Sequence, residues 1–287
     1  MKKLIYYIKK AYHEKFAIGQ FNFSTFEQMK GIVRAAENLK SPVILGTSEG
    51  ESKFFGLAEA VALRDALRKK TGLPIFLNLD HGKSLEHVKK AILAGYDMVC
   101  FDGSQLPLKE NIEITKKVVA LAQKHGAVVE GEVGQFRYSA SKVYSEKFEI
   151  QEEDLTDPAD AQLYVEQTNV DALAVSVGNF HGIDVNVVSP HLKLDRLKEI
   201  EEKIKTPLVL HGGSGTPTED LKKSIQLGIV KININTDVRL AFSHVLRQSL
   251  QTNKESIVPY QYLPESIKAV QKTVEEKIRL FDSVDKI

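Results

Sequence analysis

Short apolar, β-branched runs alternate with amphipathic helical patterns along the whole chain. Segments with apolar residues every three to four positions predict helices, for example at 25–39, 57–70, 85–94, 111–125 and 194–204. The apolar runs predict eight strands, at 17–23, 43–48, 75–80, 98–102, 127–133, 172–177, 208–210 and 230–234. Near-continuous apolar strands are typical of parallel sheets, which are covered on both faces. Eight strands that are each followed by a helix predict an α/β fold, a (β/α)8 TIM barrel, and we expect residues 1–287 to form one domain.

A doubly wound open sheet is the competing topology, and the lack of a G-x-G-x-x-G pattern after the first strand disfavours it. Two segments break the alternation. Residues 134–157 are polar and long for a barrel loop, so we expect a mobile lid there. Residues 264–281 predict an extra C-terminal helix, packed across the barrel or on a partner subunit.

A glycine-rich turn joins the last two predicted strands. The seventh strand ends at His211, the turn Gly-Gly-Ser-Gly follows at 212–215, and the eighth strand ends in Asn235 and Thr236. Such turns let backbone N–H groups approach an anion, and Ser214 and Thr236 add hydroxyl donors. Phosphates often lie on the loops after the last two strands of such barrels. The pattern is consistent with a phosphate site and equally with a loop that only turns the chain.

Polar side chains follow the predicted strands where the strands end, which is the face that carries chemistry in such barrels. They include Asp80, His81, Asp102, Glu132, His181 and His211. Imidazole suits zinc, and a catalytic zinc typically has three protein ligands, so the three histidines predict a zinc site. Asp102 and Glu132 are second-layer partners of these ligands or an alternative metal position. The competing interpretations are that Asp80 caps a helix, Glu132 pairs with a lysine and each histidine is a packed ring.

Charge and cysteine content narrow the class of protein. The chain has 39 Lys and Arg against 38 Asp and Glu, a net charge of +1, which gives no reason to expect nucleic-acid or membrane binding. The single cysteine, Cys100, excludes an internal disulfide and a cysteine metal cluster and fits a reducing compartment. The apolar run near the N-terminus is too short for a signal peptide or membrane span, so we expect a cytoplasmic protein.

The motifs together resemble the class II, metal-dependent ketose-bisphosphate aldolases of the fructose- and tagatose-bisphosphate type. The resemblance covers nearly the whole chain. The segments that carry it are Leu79-Asp80-His81, Phe101-Asp102-Gly103-Ser104, Phe180-His181-Gly182, and Leu210-His211-Gly212-Gly213-Ser214-Gly215 with Lys231-Ile232-Asn233.

This resemblance implies a role for each matching position. His81, His181 and His211 would bind the catalytic zinc, with Asp102 and Glu132 at a second or displaced metal position, and Asp80 would be the acid/base. The expected substrate-binding residues are Asn22, Ser48, Gly182, Gly212, Ser214, Asn233, Asn235 and Thr236. A monovalent cation (Na+ or K+) near the phosphate and a homodimer or homotetramer are also implied.

The sequence departs from the family pattern in two places. The family's loop after strand five supplies a second acid/base glutamate, and the loop here lacks that motif, so Glu146, Glu149, Glu152 or Glu153 would substitute. An Asp-Pro-Arg step, whose arginine serves the distal phosphate, is replaced by residues 258–260, Val-Pro-Tyr. Either Arg137 replaces its charge or the distal end of the substrate is not a phosphate. The half of the site for dihydroxyacetone phosphate is intact, and the acceptor half is not.

The expected activity is therefore reversible cleavage of a phosphorylated ketose, such as fructose 1,6-bisphosphate, to dihydroxyacetone phosphate and an aldehyde. An aldolase of altered acceptor specificity and a non-catalytic sugar-phosphate binder are the alternatives. A metal-free barrel isomerase or synthase with the same phosphate site is a third.

Overall fold

Eight parallel strands close into a barrel with helices between them. The structure, a computed structural model, describes residues 2–134, 150–179, 191–252 and 254–287, and the backbone alone at 143–144 and 183–184. The strand order around the barrel is closed, and every neighbouring pair is parallel. The predicted (β/α)8 TIM barrel is confirmed, and the open doubly wound sheet is excluded because the first barrel strand pairs with the last.

The barrel strands follow the predicted apolar runs, with ends that shift by one or two residues. The ten strands are β1 (Ile18–Asn22), β2 (Val43–Ser48), β3 (Ile75–Gly82), β4 (Met98–Phe101), β5 (Val128–Val133), β6 (Val143–Tyr144), β7 (Ala172–Val175), β8 (Ile183–Asp184), β9 (Leu208–Leu210) and β10 (Ile229–Ile234). Strands β6 and β8 pair with each other in a separate sheet. The barrel closes between β1 and β10, with Gln20 beside Asn233.

The helices alternate with the barrel strands as predicted. They are α1 (Leu4–Glu14), α2 (Phe26–Leu39), α3 (Glu49–Phe55), α4 (Leu57–Thr71), α5 (Leu85–Ala94), α6 (Leu108–His125), α7 (Pro158–Thr168), α8 (Leu194–Lys203), α9 (Thr218–Gln226), α10 (Thr236–Thr252), α11 (Pro259–Tyr262) and α12 (Pro264–Leu280). Helix α2 begins after Thr25 because Thr25 and Gln28 form a capping box.

Alternation of side chains along the strands divides the barrel interior into layers. Near the amino ends of the strands the interior is apolar, with Ile18, Phe76 and Val128 packed in one cluster with Leu4 and Ile8 of α1. The eight predicted βα units do not include α1, which covers this end of the barrel. Two and four residues further along the same strands, the inward positions are polar. The buried polar side chains at those positions include Gln20, Asn22, Asn78, Asp80, Glu130 and Glu132.

The predicted extra helix, α12, packs along the flank of the barrel. It contacts α2, α10 and β1, and Val270, Val274 and Ile278 are buried in the main core. The two helices approach closely at Gly31, where an added Cβ would lie 2.8 Å from the backbone oxygen of Ile267. The prediction that this helix packs across the barrel is therefore wrong. No helix within the described ranges is long and apolar enough to cross a membrane.

Candidate active site at the carboxyl ends of the barrel strands

Two of the three predicted zinc ligands meet at the carboxyl end of the barrel. His81 lies at the end of β3, and His211 follows β9. Nε2 of His81 lies 2.8 Å from Nδ1 of His211, and the two rings are nearly perpendicular, at 87°. His81 has a left-handed backbone (φ 49°), a conformation that non-glycine residues rarely adopt and that is often found at functional sites. The third predicted ligand, His181, lies outside the described residues, as does Gly182.

The other ring nitrogen of His81 faces two carboxylates. Nδ1 lies 3.3 Å from Asp102 Oδ2 and 3.2 Å from Glu132 Oε2. Burial by itself lowers the pKa of His81, but the charges of Glu132 and Asp80 outweigh it and raise that pKa well above its ordinary value. Ser104 fixes Asp102 through a 2.6 Å hydrogen bond from its hydroxyl to Oδ1. The carboxylates hold a proton of His81 on Nδ1, and Nε2 is the nitrogen that faces His211.

The second nitrogen of His211 is held in the same way. Nε2 lies 2.7 Å from Oε1 of Glu130, and both side chains are fully buried. Burial raises the pKa of Glu130, but the ammonium of Lys231 and the contact with His211 outweigh it and lower that pKa to about 2. An ionised carboxylate only accepts hydrogen bonds, so Nε2 of His211 carries the proton and Nδ1 offers its lone pair.

The site has the features of a cation site. Two imidazole nitrogens face each other across 2.8 Å, a separation at which a proton or a metal cation lies between them. Oxygen Oε1 of Glu132 is buried and accepts no hydrogen bond from any described residue. The side-chain donor atoms of Asp80, His81 and His211 all lie within 4.8 Å of one another, as do those of His81, Asp102 and Glu132. These residues therefore fit a bound divalent metal ion.

A third cluster, of Cys100, Glu130 and His211, is less suitable for a metal. Burial, with the nearby Glu130 and Glu132 carboxylates, raises the pKa of the Cys100 thiol well above its ordinary value, which disfavours the thiolate that binds metals. Glu130 is also paired with the Lys231 ammonium at 2.7 Å. Cys100 is a buried residue of strand β4.

Asp80 is held between two amides. Its Oδ2 accepts a 2.9 Å hydrogen bond from Asn22, and its Oδ1 accepts a 2.8 Å hydrogen bond from Asn233. Burial raises the pKa of Asp80, but His81, His211 and Lys231 outweigh it and hold that pKa well below its ordinary value. Asp80 is therefore an oriented, ionised carboxylate beside both histidines, and it does not cap a helix.

Asn22 connects Asp80 with Glu51 and, through Glu51, with Arg239, and neither residue was predicted as part of the site. Its amide also donates to Oε2 of Glu51 at 3.0 Å, and Oε1 of Glu51 accepts a 2.5 Å hydrogen bond from Arg239. Glu51 accepts from the backbone of Ser48 at 2.8 Å, so Ser48 and Glu51 form the capping box of α3. The capping-box spacing was the available signal for Glu51. Nothing local in the sequence indicates the contact with Arg239.

The glycine-rich turn lies against the start of α10. Its Gly212 and Gly215 have positive φ angles, 65° and 79°, that favour glycine. Ser214 Oγ accepts a 3.2 Å hydrogen bond from the backbone of Asp237, which links the turn to the amino end of α10. Thr236 is buried there, and Oδ1 of Asn235 is buried without a hydrogen bond to any described residue. The predicted phosphate-binding residues of these two segments are therefore adjacent.

Other predicted positions lie apart from this cluster or outside the described residues. Most of the predicted lid, including Arg137, Glu146 and Glu149, lies outside the described residues. Glu152 pairs with Arg196, and Glu153 lies in a short 3-10 turn beside it. Tyr260, at the position of the family's arginine, is 77% exposed.

Comparison with known proteins decides the family. A model of the class II fructose-bisphosphate aldolases matches residues 2–286. The chain belongs to this family. The protein is an aldolase, a lyase, and its family is metal-dependent, in agreement with the cluster of metal-ligating side chains around His81 and His211.

Relatives of the chain differ in their substrates. It is 40% identical over 271 residues to a probable fructose-bisphosphate aldolase of Bacillus subtilis strain 168, covering 93% of each chain. It is 39% identical over 277 residues to a 6-phospho-5-dehydro-2-deoxy-D-gluconate aldolase of Shouchella clausii strain KSM-K16, covering 95% of this chain and 92% of the relative. The crystal structure of the YdjI aldolase of Escherichia coli K12 matches with a TM-score of 0.81 and 30% identity, over 99% of this chain and 98% of the other.

Proposed function

We propose that this aldolase cleaves a phosphorylated ketose to dihydroxyacetone phosphate and an aldehyde, with zinc held by His81, His211 and His181. The observation that carries the proposal is the opposition of His81 Nε2 and His211 Nδ1 at 2.8 Å beside the Asp80 carboxylate. Imidazole ligands suit zinc better than magnesium or calcium. Bound zinc supplies Lewis-acid polarisation of substrate oxygens. Asp102 and Glu132 orient His81 through its Nδ1 and add negative charge beside the metal-binding residues.

Asp80 has the position and charge of the base. For cleavage between C3 and C4, the carboxylate takes the proton of the C4 hydroxyl, the C4–O bond becomes a carbonyl, and the C3–C4 electron pair moves to the three-carbon fragment. Both oxygens of Asp80 are oriented by amides, so its lone pairs have fixed directions. A second acid must then protonate C3. Glu146, Glu149, Glu152 and Glu153 remain the sequence-based candidates for it.

The phosphate of the dihydroxyacetone half is assigned to the turn at 212–215 and the start of α10. Supporting this assignment, Ser214 is bonded to the first turn of α10, where unpaired backbone N–H groups and the helix dipole favour an anion. Asn235 adds an amide oxygen that lacks a partner among the described residues and is able to accept from a substrate hydroxyl. The monovalent cation expected from the family would lie beside this phosphate.

The distal end of the substrate is proposed to be anionic and to approach Arg239. This arginine is in the first turn of α10, and it reaches Glu51, which contacts both Ser48 and Asn22, the positions assigned to the acceptor half. Of the two relatives named above, one is a probable aldolase of fructose bisphosphate, which has a distal phosphate, and the other is named as an aldolase of a phosphorylated gluconate, which has a distal carboxylate. A guanidinium is able to bind either group through paired hydrogen bonds.

A substrate panel with and without metal tests the function. Dihydroxyacetone phosphate release is measured with fructose 1,6-bisphosphate, tagatose 1,6-bisphosphate, fructose 1-phosphate and 6-phospho-5-dehydro-2-deoxygluconate. We expect cleavage of at least one ketose phosphate that has a distal phosphate or carboxylate. This activity should be lost after treatment with chelator and recovered with zinc. Chelator saturated with zinc beforehand is the control. Cleavage that persists in excess chelator would contradict the proposal.

A further inference from the structure

Lys231 is a completely buried lysine inside the catalytic barrel. Lysine is almost never fully buried unless its charge is paired, so its position calls for a specific reason. Its ammonium donates two hydrogen bonds, at 2.7 Å to Glu130 Oε2 and at 2.8 Å to Asn233 Oδ1. Lys231 and Asn233 share the inward face of β10, because they are two residues apart on one strand.

Each of the two acceptors holds a different functional group. Glu130 uses its other oxygen to hold Nε2 of His211 at 2.7 Å. Asn233 uses its amide nitrogen to hold Oδ1 of Asp80 at 2.8 Å. The Lys231 ammonium is therefore the shared donor of two hydrogen-bonded branches. One branch runs through Glu130 to the His211 imidazole, and the other runs through Asn233 to the Asp80 carboxylate.

We propose that Lys231 is a positioning residue that sets the geometry of His211 and Asp80 relative to each other, through Glu130 and Asn233. The proposal rests on the proposed function, since it takes His211 as a metal ligand and Asp80 as the base. Two fixed hydrogen bonds to one point leave both branches little freedom to move independently. Outer partners of metal ligands typically change metal affinity or activity by about 10–100-fold when they are lost.

Charge and amide orientation explain why a lysine is required. Its ammonium neutralises Glu130 while leaving that carboxylate free to accept from His211. It also fixes the Asn233 amide with the oxygen toward Lys231 and the nitrogen toward Asp80. A neutral apolar side chain would leave both orientations undetermined.

The test uses the full-length enzyme and a variant without buried charge at this place. Lys231→Met alone leaves Glu130 buried and unpaired, which destabilises the fold. The double variant Lys231→Met/Glu130→Gln is neutral, and its glutamine oxygen still accepts from His211. We measure zinc Kd of the metal-free protein with a competing chromophoric chelator, Tm, and kcat and KM separately. We expect zinc Kd to weaken and kcat to fall by about 10–100-fold each, with KM nearly unchanged.

A largely buried ion pair at the other end of the barrel provides the control. Arg64 is 5% exposed and pairs with Asp97, which precedes β4 and therefore lies at the amino end of the strands. Arg64→Met/Asp97→Asn should lower Tm without changing zinc Kd or kcat. Wild-type zinc Kd and kcat in the Lys231 double variant would overturn the proposal, as would equal losses in both double variants.

Failure of folding does not leave the proposal undecided. A second neutral variant, Lys231→Gln/Glu130→Gln, keeps a donor amide at position 231 toward Asn233 and should recover part of the lost zinc affinity and kcat, and zinc Kd and kcat equal to those of the wild type in this variant would also overturn the positioning role of the ammonium. A wild-type protein that neither binds zinc nor cleaves a ketose phosphate would contradict the proposed function instead. The two failures are therefore distinguishable in one set of measurements.

Discussion

Asn22 donates a 2.9 Å hydrogen bond to Asp80, and its own amide oxygen accepts a 3.1 Å hydrogen bond from Gln20. Gln20 in turn accepts from Asn78 at 2.7 Å. The amide of Asn22 therefore has one possible orientation, because its oxygen is committed to a donor and its nitrogen to carboxylates. The orientation of Asp80 depends on this chain of amides inside the barrel.

A glycine beside this chain gives the first prediction. A Cβ added at Gly46 would lie 2.4 Å from Oδ1 of Asn22 and 2.8 Å from Nε2 of Gln20. We expect Gly46→Ala to displace the amides, to destabilise the fold by about 1–3 kcal/mol and to lower kcat by up to about 100-fold, although no substrate contact is removed. Steady-state kinetics and thermal unfolding measure both effects.

Gly50→Ala is the matched control for this substitution. The nearest atom to its added Cβ is Ser48 Oγ at 4.0 Å, and alanine is favoured over glycine inside α3. It should leave kcat unchanged. Full activity in Gly46→Ala would show that the amide chain does not set the position of Asp80.

Replacing the proposed base separates chemistry from metal binding. We expect Asp80→Asn to keep its bound zinc and to lose about 10²–10⁴-fold in cleavage rate. Asparagine has a single acceptor oxygen where Asp80 accepts from both Asn22 and Asn233, so we also expect a cost of about 1–3 kcal/mol in stability. Asp195→Asn, at an exposed position on α8, controls for the lost charge. Undiminished cleavage in Asp80→Asn would remove Asp80 from the mechanism.

Metal removal should change stability in a predictable direction. The carboxylates of Asp80, Asp102, Glu130 and Glu132 surround the site, and Lys231 neutralises one of them. A metal that binds only the folded protein adds about 2.7 kcal/mol at a free concentration of 100 times its Kd. We expect chelator to lower Tm and zinc to restore it, with a smaller effect of magnesium because imidazole ligands suit zinc. Identical Tm values in chelator and zinc would contradict the metal site.

The role of Arg239 is testable through the charge of the distal group. We expect Arg239→Met to lower kcat/KM by about tenfold or more for ketose phosphates with a distal phosphate or carboxylate, since hydrogen bonds between charged groups contribute about 1.5–3 kcal/mol. Fructose 1-phosphate, whose distal group is a hydroxyl, should be much less affected. Arg247→Met, at an exposed position on the same helix, is the control. An equal loss on both substrate types would assign Arg239 to orienting Glu51.

The sequence predicted the barrel and most strand positions because parallel strands are apolar on both faces and end in recognisable polar residues. It also selected His81, His211 and Asp80 correctly as neighbours, since the carboxyl ends of all eight strands meet. The sequence pattern contained a further signal. Pairs of polar residues two apart, such as Glu130 with Glu132 and Lys231 with Asn233, share an inward face and were available as candidates for buried partners.

Other features depend on contacts between distant segments. Glu51 and Arg239 are 188 positions apart, and neither position has a local pattern that indicates their pairing. Helix α1 has the spacing of an amphipathic helix, with Leu4, Tyr7, Ile8 and Ala11 buried, but its position at the amino end of the barrel appears only when Leu4 and Ile8 meet the inward residues of several strands. Such contacts are determined by barrel closure and not by the sequence around each residue.

The convergence of His81, His211 and His181 on one ion is tested most directly by zinc K-edge X-ray absorption on the full-length protein. We predict one tightly bound zinc per chain, with imidazole nitrogen donors at about 2.0–2.1 Å. We also predict loss of that signal in His81→Ala and in His211→Ala. Zinc surrounded by water oxygens alone, or a wild-type spectrum in both variants, would contradict it.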